Sequence, residues 1–269
     1  MNDPKPVSGT KEWAASSYNI TLGCTHDCRY CYAKANAFTR FYKVPATQRW
    51  CDPEPIPGRM DKGFGKRSGS IMFPTQHDIF PENLDDSVTV LLKMLRAGND
   101  VLIVSKPHLD CIDRLCWEFE AFRDQILFRF TIGSVNDNTL ALWEPGAPDF
   151  TERFAALQRA FTEGYRTSIS MEPLLDTDED RIVRAVERFD PVVTDAIWLG
   201  KANNLMQRLK ANNELPEMQL PAERLIESQS DDRILALYER LKEHPKVKWK
   251  DSIKKIVGLG RPTEAGLDI

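Results

Sequence analysis

The chain has 269 residues, of which 42% are hydrophobic and 28% charged; these values fit one globular domain, or one domain with a small appendage. A net charge of −4 excludes a general attraction to nucleic acid, which would need a local basic patch. No apolar run approaches the roughly 20 residues that cross a bilayer, and the polar segment Met1–Ala15 lacks the apolar stretch of a signal peptide, so we expect a cytoplasmic protein without a membrane contact.

Short apolar runs alternate with longer amphipathic stretches along most of the chain. The runs rich in β-branched and aromatic residues predict six strands: Tyr18–Gly23, Ser70–Pro74, Asp100–Ser105, Ile126–Ile132, Tyr165–Met171 and Thr194–Gly200. Apolar residues at helical spacing predict helices over Leu84–Ala97, His108–Arg123, Phe150–Glu163 and Asp178–Phe189. Strand followed by helix, repeated in this way, predicts an α/β fold, a partial (β/α)6 TIM-like barrel with its functional residues at the C-terminal ends of the strands.

Two regions depart from this alternation. Val44–Gly69, rich in proline, glycine and basic residues, predicts an extended loop over the barrel mouth. From Lys201 onward the pattern is helical and polar, which predicts a C-terminal extension (residues 201–269) packing on a core of residues 1–200.

Basic residues cluster in both of these regions, and each cluster could either grip phosphates or be a solvated charge run. They are Arg59, Lys62, Lys66 and Arg67 in the loop, and Lys246, Lys248, Lys250, Lys254 and Lys255 near the C-terminus. Trp249 could stack on a base or anchor the last helix to the core.

Three cysteines with the spacing CxxxCxxC follow the first predicted strand: Cys24, Cys28 and Cys31. Thiolates are soft ligands suited to iron–sulfur clusters or zinc. Three of them satisfy three irons of a four-iron cluster and leave the fourth open, as a catalytic site requires. The alternative is a zinc site with His26 or a distant cysteine as fourth ligand. Zinc motifs usually bring two pairs of ligands, and the sequence has no second pair, so the spacing favours a cluster.

This cysteine motif, with an aromatic residue before the third cysteine, resembles the defining motif of the radical S-adenosylmethionine superfamily. The resemblance implies a 4Fe-4S cluster whose open iron is chelated by the amino and carboxylate groups of S-adenosylmethionine. It implies reductive cleavage of this cofactor to methionine and a 5′-deoxyadenosyl radical that abstracts hydrogen from a substrate. By the same resemblance Tyr30 would pack against the adenine, and a flavodoxin or ferredoxin would donate the electron.

The turn after the second predicted strand resembles one branch of that superfamily. Many members carry Gly-Gly-Glu at this turn, whereas this chain has the segment Thr75-Gln76-His77-Asp78. The departure is similar to the spore photoproduct lyase branch, in which Ser/Thr and Asp occupy the turn. Three further segments between Tyr18 and Gly200 agree with this branch: Ser105-Lys106-Pro107, Gly133-Ser134-Val135 and the run Trp143–Pro148.

Five residues at predicted strand ends are candidates for holding the cofactor. Lys106 could pair with the methionine carboxylate, and Ser134 could hydrogen-bond the carboxylate or the ribose. Thr75 and Asp78 could accept hydrogen bonds from the ammonium group. Glu172 could contact the ribose or the substrate. Loops on a rigid scaffold commonly carry such sites, although each of these residues could also be an exposed loop residue.

Two further residues of the predicted loops are candidates for catalysis. His77 could be an acid or base oriented by Asp78, or a histidine hydrogen-bonded in a structural turn. Cys51, in the irregular loop, could donate a hydrogen atom to a product radical, as the resemblance to the lyase branch implies, or hold an auxiliary cluster with Cys111 and Cys116. Cys111 and Cys116 fall on the apolar side of a predicted helix, where buried free thiols are common, so we predict that both pack in the core.

Three hypotheses of function follow from the sequence. The first is a radical enzyme acting on a small molecule, a peptide or a nucleic-acid group. The second is repair of a nucleic-acid lesion, or base modification, of the spore photoproduct lyase type. The third is a non-enzymatic zinc or iron–sulfur protein. Fold and cofactor chemistry do not fix the substrate.

Overall fold

In a computed structural model that describes residues 5–41 and 49–267, strands and helices alternate along most of the chain. The strands are β1 Ser16–Ser17, β2 Thr21–Leu22, β3 Glu54–Pro55, β4 Ile71–Phe73, β5 Val101–Ser105, β6 Ile126–Thr131, β7 Arg166–Met171, β8 Ile197–Leu199 and β9 Val247–Trp249. The α-helices are α1 Tyr32–Asn36, α2 Leu84–Arg96, α3 Leu109–Glu118, α4 Asp137–Trp143, α5 Phe150–Thr162, α6 Glu179–Phe189, α7 Leu205–Ala211, α8 Gln219–Ser228, α9 Asp231–Leu241 and α10 Asp251–Val257. A π-helical turn spans Ala37–Phe41, and short 3₁₀ helices span Gly9–Glu12, Pro81–Asn83, Glu120–Gln125 and Asp190–Val192.

Seven of the strands form one parallel sheet in the order β1-β4-β5-β6-β7-β8-β9. The two faces of the sheet pack against different partners, as the period of two along a strand requires. On β5, Val101 and Ile103 join the main core, whereas Leu102 packs with Trp13 and Trp198 in a second cluster. The predicted α/β fold, a partial TIM-like barrel, is therefore confirmed, with seven strands where the sequence predicted six.

The first strand differs from its prediction over Tyr18–Gly23. The sheet uses Ser16–Ser17 instead, and the backbone N–H of Tyr18 makes a last bond to Met72 O at 3.0 Å. The Asn19 side chain then accepts hydrogen bonds from the N–H groups of Thr75 and Gln76, both at 2.8 Å, which directs the chain away from β4. The residues Thr21–Leu22 pair antiparallel with β3 in a separate two-stranded ribbon.

The loop after the first unit only partly matches its prediction. Residues 44–48 lie outside the described residues. After β3 the chain runs to the N-terminal end of the strands of the parallel sheet. There Arg67 N–H donates to Asn99 Oδ1 at 2.8 Å, and Lys66 lies 3.6 Å from the Asp100 carboxylate. Asn99 and Asp100 precede β5, at the N-terminal end of the strands. The prediction that the whole loop covers the barrel mouth is therefore wrong for its second half.

The C-terminal extension is mainly helical, as predicted, and it also supplies β9, which pairs in parallel with β8. Sequence analysis missed this strand because it is short and lies within the basic run. Cys111 and Cys116 are buried in the main core, as predicted. Among the residues that the structure describes, no helix combines the length and apolar character needed to cross a membrane.

Candidate active site

The cysteine motif folds as consecutive tight turns between β2 and α1. The N–H of Asp27 bonds to Cys24 O at 3.2 Å, and that of Cys31 bonds to Cys28 O at 3.0 Å. Cys31 caps α1, its Sγ accepting from Lys34 N at 3.4 Å. These turns bring all three cysteines to the wall of one cavity of about 620 Å³.

The environment of the three thiols suits bound metal. Burial raises the pKa of Cys24, Cys28 and Cys31, so their thiolates would need bound cations to form at neutral pH. A tetrahedral zinc ion would hold its sulfur ligands within about 3.8 Å of one another. Among the described residues, the group of three possible metal ligands whose ligand atoms all lie within 4.8 Å of one another is Cys24, His26 and Asp78, and not the three thiols. The structure therefore does not gather the three thiols around a single point.

His26 is not directed at the three thiols. Its Nδ1 lies 2.9 Å from Asp78 Oδ2, and its Nε2 lies 2.9 Å from His108 Nε2. His108 in turn lies 3.5 Å from the carboxylate of Glu152. Both ring nitrogens thus have partners, and the group of close potential metal ligands that contains His26 joins it to Cys24 and Asp78 but not to Cys28 or Cys31.

Asp78 and Lys106 form an ion pair on the cavity wall next to the thiols. Asp78 Oδ1 accepts from Lys106 N–H at 2.8 Å, and Oδ2 lies 3.4 Å from Lys106 Nζ and 3.9 Å from Cys24 Sγ. Although burial opposes the shift, the charges of Lys106 and His26 lower the pKa of Asp78 well below its usual range. The site thus presents one cation and one anion side by side.

Three more predicted residues line the same cavity: Tyr30, Thr75 and Glu172. The Tyr30 hydroxyl donates to Glu144. The Thr75 hydroxyl accepts from Asn19 Nδ2 at 2.9 Å. Glu172 Oε2 lies 3.4 Å from Lys250 Nζ, and burial raises its pKa. Thr75 and Glu172, predicted at strand ends, and Tyr30, predicted from the resemblance of the cysteine motif, therefore share one cavity, and their roles toward a cofactor stay predictions.

Ser134 and Cys51 are placed outside the cavity wall. Ser134 is fully buried, donating to Asp176 Oδ1 at 3.0 Å and accepting from Asn136 N at 2.9 Å. Cys51 lines a separate pocket of about 450 Å³, with the Trp50 indole bordering both pockets. This placement favours a structural role for Ser134 and gives no support to hydrogen donation by Cys51.

His77 lines the cavity but has both ring nitrogens engaged. Its Nε2 accepts from Ile20 N–H at 3.1 Å, and its Nδ1 lies 2.9 Å from Asp78 O. Burial lowers the pKa of His77 to about 4, so the ring is neutral at physiological pH. Of the two predicted roles, the geometry favours the structural turn over acid–base chemistry.

Sequence analysis singled out the run Trp143–Pro148 but did not predict that this turn supports the cysteine loop, the segment Cys24–Cys31. Trp143 O accepts from Arg29 N–H at 2.9 Å, and Gly146 N–H donates to His26 O at 3.1 Å. Glu144, which accepts from Tyr30, is completely buried and pairs with Arg153 at 2.6 Å. The Glu-Pro-Gly sequence of this turn was the available signal, since such a segment commonly forms a tight turn.

The C-terminal extension also contacts the cysteine loop. Asn212 Nδ2 donates to Arg29 O at 2.8 Å and to Cys31 O at 3.0 Å. Glu214 lies 2.7 Å from Arg29 Nη1 and 3.1 Å from Lys34 Nζ. No local pattern could reveal these contacts, because the partners lie far apart in sequence.

The two basic clusters do not form a phosphate-binding surface at the cavity, since none of their residues lines it. Lys66 and Arg67 lie at the N-terminal ends of the strands, away from the cavity. Lys250 is fully buried and lies 2.9 Å from Glu12. Trp249 packs against Tyr238, with ring centroids 5.3 Å apart, as the anchoring alternative predicted.

Comparisons with solved structures place the fold in a known class. A cysteine-to-serine variant of spore photoproduct lyase matches with a TM-score of 0.57 at 12% identity, covering 93% of this chain and 79% of that one. Streptococcus suis SuiB bound to S-adenosylmethionine matches with a TM-score of 0.53 at 12% identity, covering 94% and 54%. SuiB bound to the precursor peptide SuiA gives 0.55 at 11%, covering 92% and 51%.

The chain therefore shares the fold of spore photoproduct lyase and SuiB, and spore photoproduct lyase is the branch that the turn after the second predicted strand resembles. No protein-family model matches the chain. In sequence, an uncharacterized protein of Acidianus two-tailed virus is 25% identical over 173 residues. That alignment spans 61% of this chain and 57% of the viral protein.

Proposed function

We propose that the protein is a radical S-adenosylmethionine enzyme in which Cys24, Cys28 and Cys31 hold a 4Fe-4S cluster. When bound, this cluster would supply the electron that cleaves S-adenosylmethionine into methionine and a 5′-deoxyadenosyl radical, which abstracts hydrogen from the substrate. A flavodoxin or ferredoxin is the proposed electron donor.

The observation that carries the proposal is the position of the three thiols. All three line one cavity, and burial disfavours their thiolates unless metal is bound. This arrangement occurs in a fold shared with spore photoproduct lyase and SuiB.

The ion pair beside the thiols suits the amino-acid part of the cofactor. Lys106 offers a cation and Asp78 an anion, which complement the carboxylate and ammonium groups of a methionine moiety. Because the two side chains lie 3.4 Å apart, they neutralise each other in the absence of a ligand. Tyr30 and Glu172 line the remaining wall, where Tyr30 would contact the adenine and Glu172 the ribose or the substrate.

For the substrate, we favour a small molecule or a peptide over nucleic acid. One spore photoproduct lyase structure contains a dinucleoside spore photoproduct, and one SuiB structure contains a precursor peptide. In this chain the two basic clusters lie away from the cavity, so they do not supply there the many phosphate contacts that dominate nucleic-acid affinity. A peptide or a small molecule does not need such a surface.

The proposal is tested by anaerobic reconstitution with iron and sulfide, followed by reduction in the presence of S-adenosylmethionine. We expect about four irons per chain and release of 5′-deoxyadenosine. Cys28→Ala should abolish that release, whereas Cys116→Ala, a change of the same type in the core, should retain it. Equal turnover by Cys28→Ala and the unmodified protein, or one zinc per chain in place of iron, would contradict the proposal.

The substrate can be sought through the hydrogen that it loses. Deuterium-labelled candidate compounds would be incubated with the reduced enzyme, and 5′-deoxyadenosine would be analysed by mass spectrometry. Transfer of deuterium from one compound identifies what the radical attacks.

A further inference from the structure

Arg208 is a charged residue of the cavity wall that lacks an ion-pair partner within the described parts of the chain. The other charged groups of the wall have partners: Lys106 lies 3.4 Å from Asp78, Glu172 lies 3.4 Å from Lys250, and Lys201 lies 3.5 Å from Asp231. Arg208 is half-buried, and its guanidinium lies 5.9 Å from the centre of the Tyr32 ring.

An unpaired guanidinium in this position is unfavourable in the absence of a ligand. Burial lowers the pKa of Arg208, because the charge of Glu172 compensates the lost hydration only in part. Glu172 makes its contact with Lys250 and forms no ion pair with Arg208. A partly desolvated charge without a partner costs free energy, and an incoming anion would remove that cost.

The helix that carries Arg208 is anchored at the site. Arg208 belongs to α7, whose C-cap residue Asn212 is hydrogen-bonded to the backbone of the cysteine loop. The Tyr32 ring beside it is held by a hydrogen bond from its hydroxyl to Thr75 O. A guanidinium presents its N–H groups in the planar fork that matches carboxylate and phosphate oxygens, and the anchored helix and ring place that of Arg208 beside the cavity.

We propose that Arg208 binds an oxyanion of the substrate, a carboxylate or a phosphate, and thereby selects anionic substrates. This inference rests on the proposed function. Lys106 and Asp78 already complement the amino-acid part of the cofactor, which leaves Arg208 for the second ligand. A cavity of about 620 Å³ has the size that encloses one drug-sized ligand. With the cofactor bound beside Lys106 and Asp78, the substrate would enter next to it and contact Arg208 on the cavity wall.

Equilibrium dialysis with radiolabelled inorganic phosphate and with labelled acetate tests this assignment on the cluster-loaded protein, with and without saturating S-adenosylmethionine. We expect saturable binding of at least one probe to one site per chain. Arg208→Gln should weaken that binding tenfold or more, and Arg208→Lys, which keeps the charge without the fork, should weaken it less. Arg114→Gln, a change at an exposed arginine on α3 that pairs with Glu118, should leave it unchanged.

The affinity for S-adenosylmethionine, measured on the same preparations, separates the possible results. Lost oxyanion binding with an unchanged cofactor affinity supports the proposal, and preference for phosphate or for acetate identifies which oxyanion is recognised. Weaker cofactor binding by Arg208→Gln, or no saturable binding of either probe by the unmodified protein, overturns it. Thermal unfolding verifies that the variants are folded.

Failure of the proposed function gives a different pattern. In that case the unmodified protein releases no 5′-deoxyadenosine, while the dialysis without cofactor still reports whether Arg208 binds an oxyanion.

Discussion

Gly146 offers a direct test of how the cysteine loop is held. A Cβ atom at this position would lie 2.2 Å from the carbonyl oxygen of Thr25 and 3.1 Å from His26 Cα, whereas ordinary contact begins at 3.4 Å. In Gly146→Ala one of the two backbones therefore has to move by roughly 1 Å, at a cost of about 1–3 kcal/mol. The same movement weakens the hydrogen bond from Gly146 N–H to His26 O, which contributes about 1 kcal/mol.

The expected loss in the free energy of unfolding is about 2–4 kcal/mol. Because the displaced backbone lies between Cys24 and Cys28, iron incorporation should fall together with stability. Urea unfolding followed by circular dichroism measures the first effect, and the iron content after anaerobic reconstitution measures the second. Gly63→Ala is the matched control, since no atom lies within 4 Å of a Cβ atom at that position.

The reasoning fails if Gly146→Ala unfolds at the same urea concentration as Gly63→Ala and takes up as much iron. That result would mean that the turn and the loop move apart at little cost. A loss of stability with full iron content would mean that the strain relaxes in the turn and leaves the thiols in place.

Two further predictions concern buried ionisable groups. Lys250→Met leaves the carboxylate of Glu12, 2.9 Å from Lys250 Nζ, buried without its cation. Urea unfolding should therefore show a free energy of unfolding lower by about 3–5 kcal/mol. Adding Glu12→Gln should restore part of that stability, and an undiminished loss in the double variant would contradict this account. The pKa of His77 is about 4 in the folded state against an ordinary value of 6.5, so the unfolded chain binds the proton more readily and stability is lost as pH falls from 6.5 toward 4, by up to roughly 3 kcal/mol. His77→Gln should flatten this part of the pH profile of urea unfolding, and an equally steep profile in both proteins would show that other groups cause the loss.

The elements that the sequence predicted well are those that bury a continuous apolar face. Apolar residues at regular spacing define α2, α5 and α6 and the strands β4 to β8, since their burial depends on the residues of the segment itself. The strand β9 shows the opposite case. Its flanking residue Lys250 is buried because it pairs with Glu12 and lies 3.7 Å from the Trp13 ring, partners at the other end of the chain that no local pattern reveals.

In the candidate site, too, residues placed by local sequence were predicted, whereas residues placed by distant contacts were not. The cysteine spacing and the strand-end rule predicted the thiols, Asp78 and Lys106, because parallel strands place their C-terminal ends at one edge. Ser134 departs from this rule although Thr131, at the end of β6, lines the cavity. Three residues after the strand the chain has turned inward, and the Ser134 hydroxyl bonds to Asp176 and Asn136.

The residues that sequence analysis missed give the C-terminal extension a role at the site. Its pattern indicated only that helices pack on the core, yet Asn212 and Glu214 bind the cysteine loop and Arg208 lines the cavity. The thiols come from the first strand–helix unit, whereas the proposed anion contact comes from the region after the last predicted one. On the proposed assignment of Arg208, substitutions in the extension would change which substrate is accepted while the cysteine motif stays the same, so that motif alone would not identify the substrate.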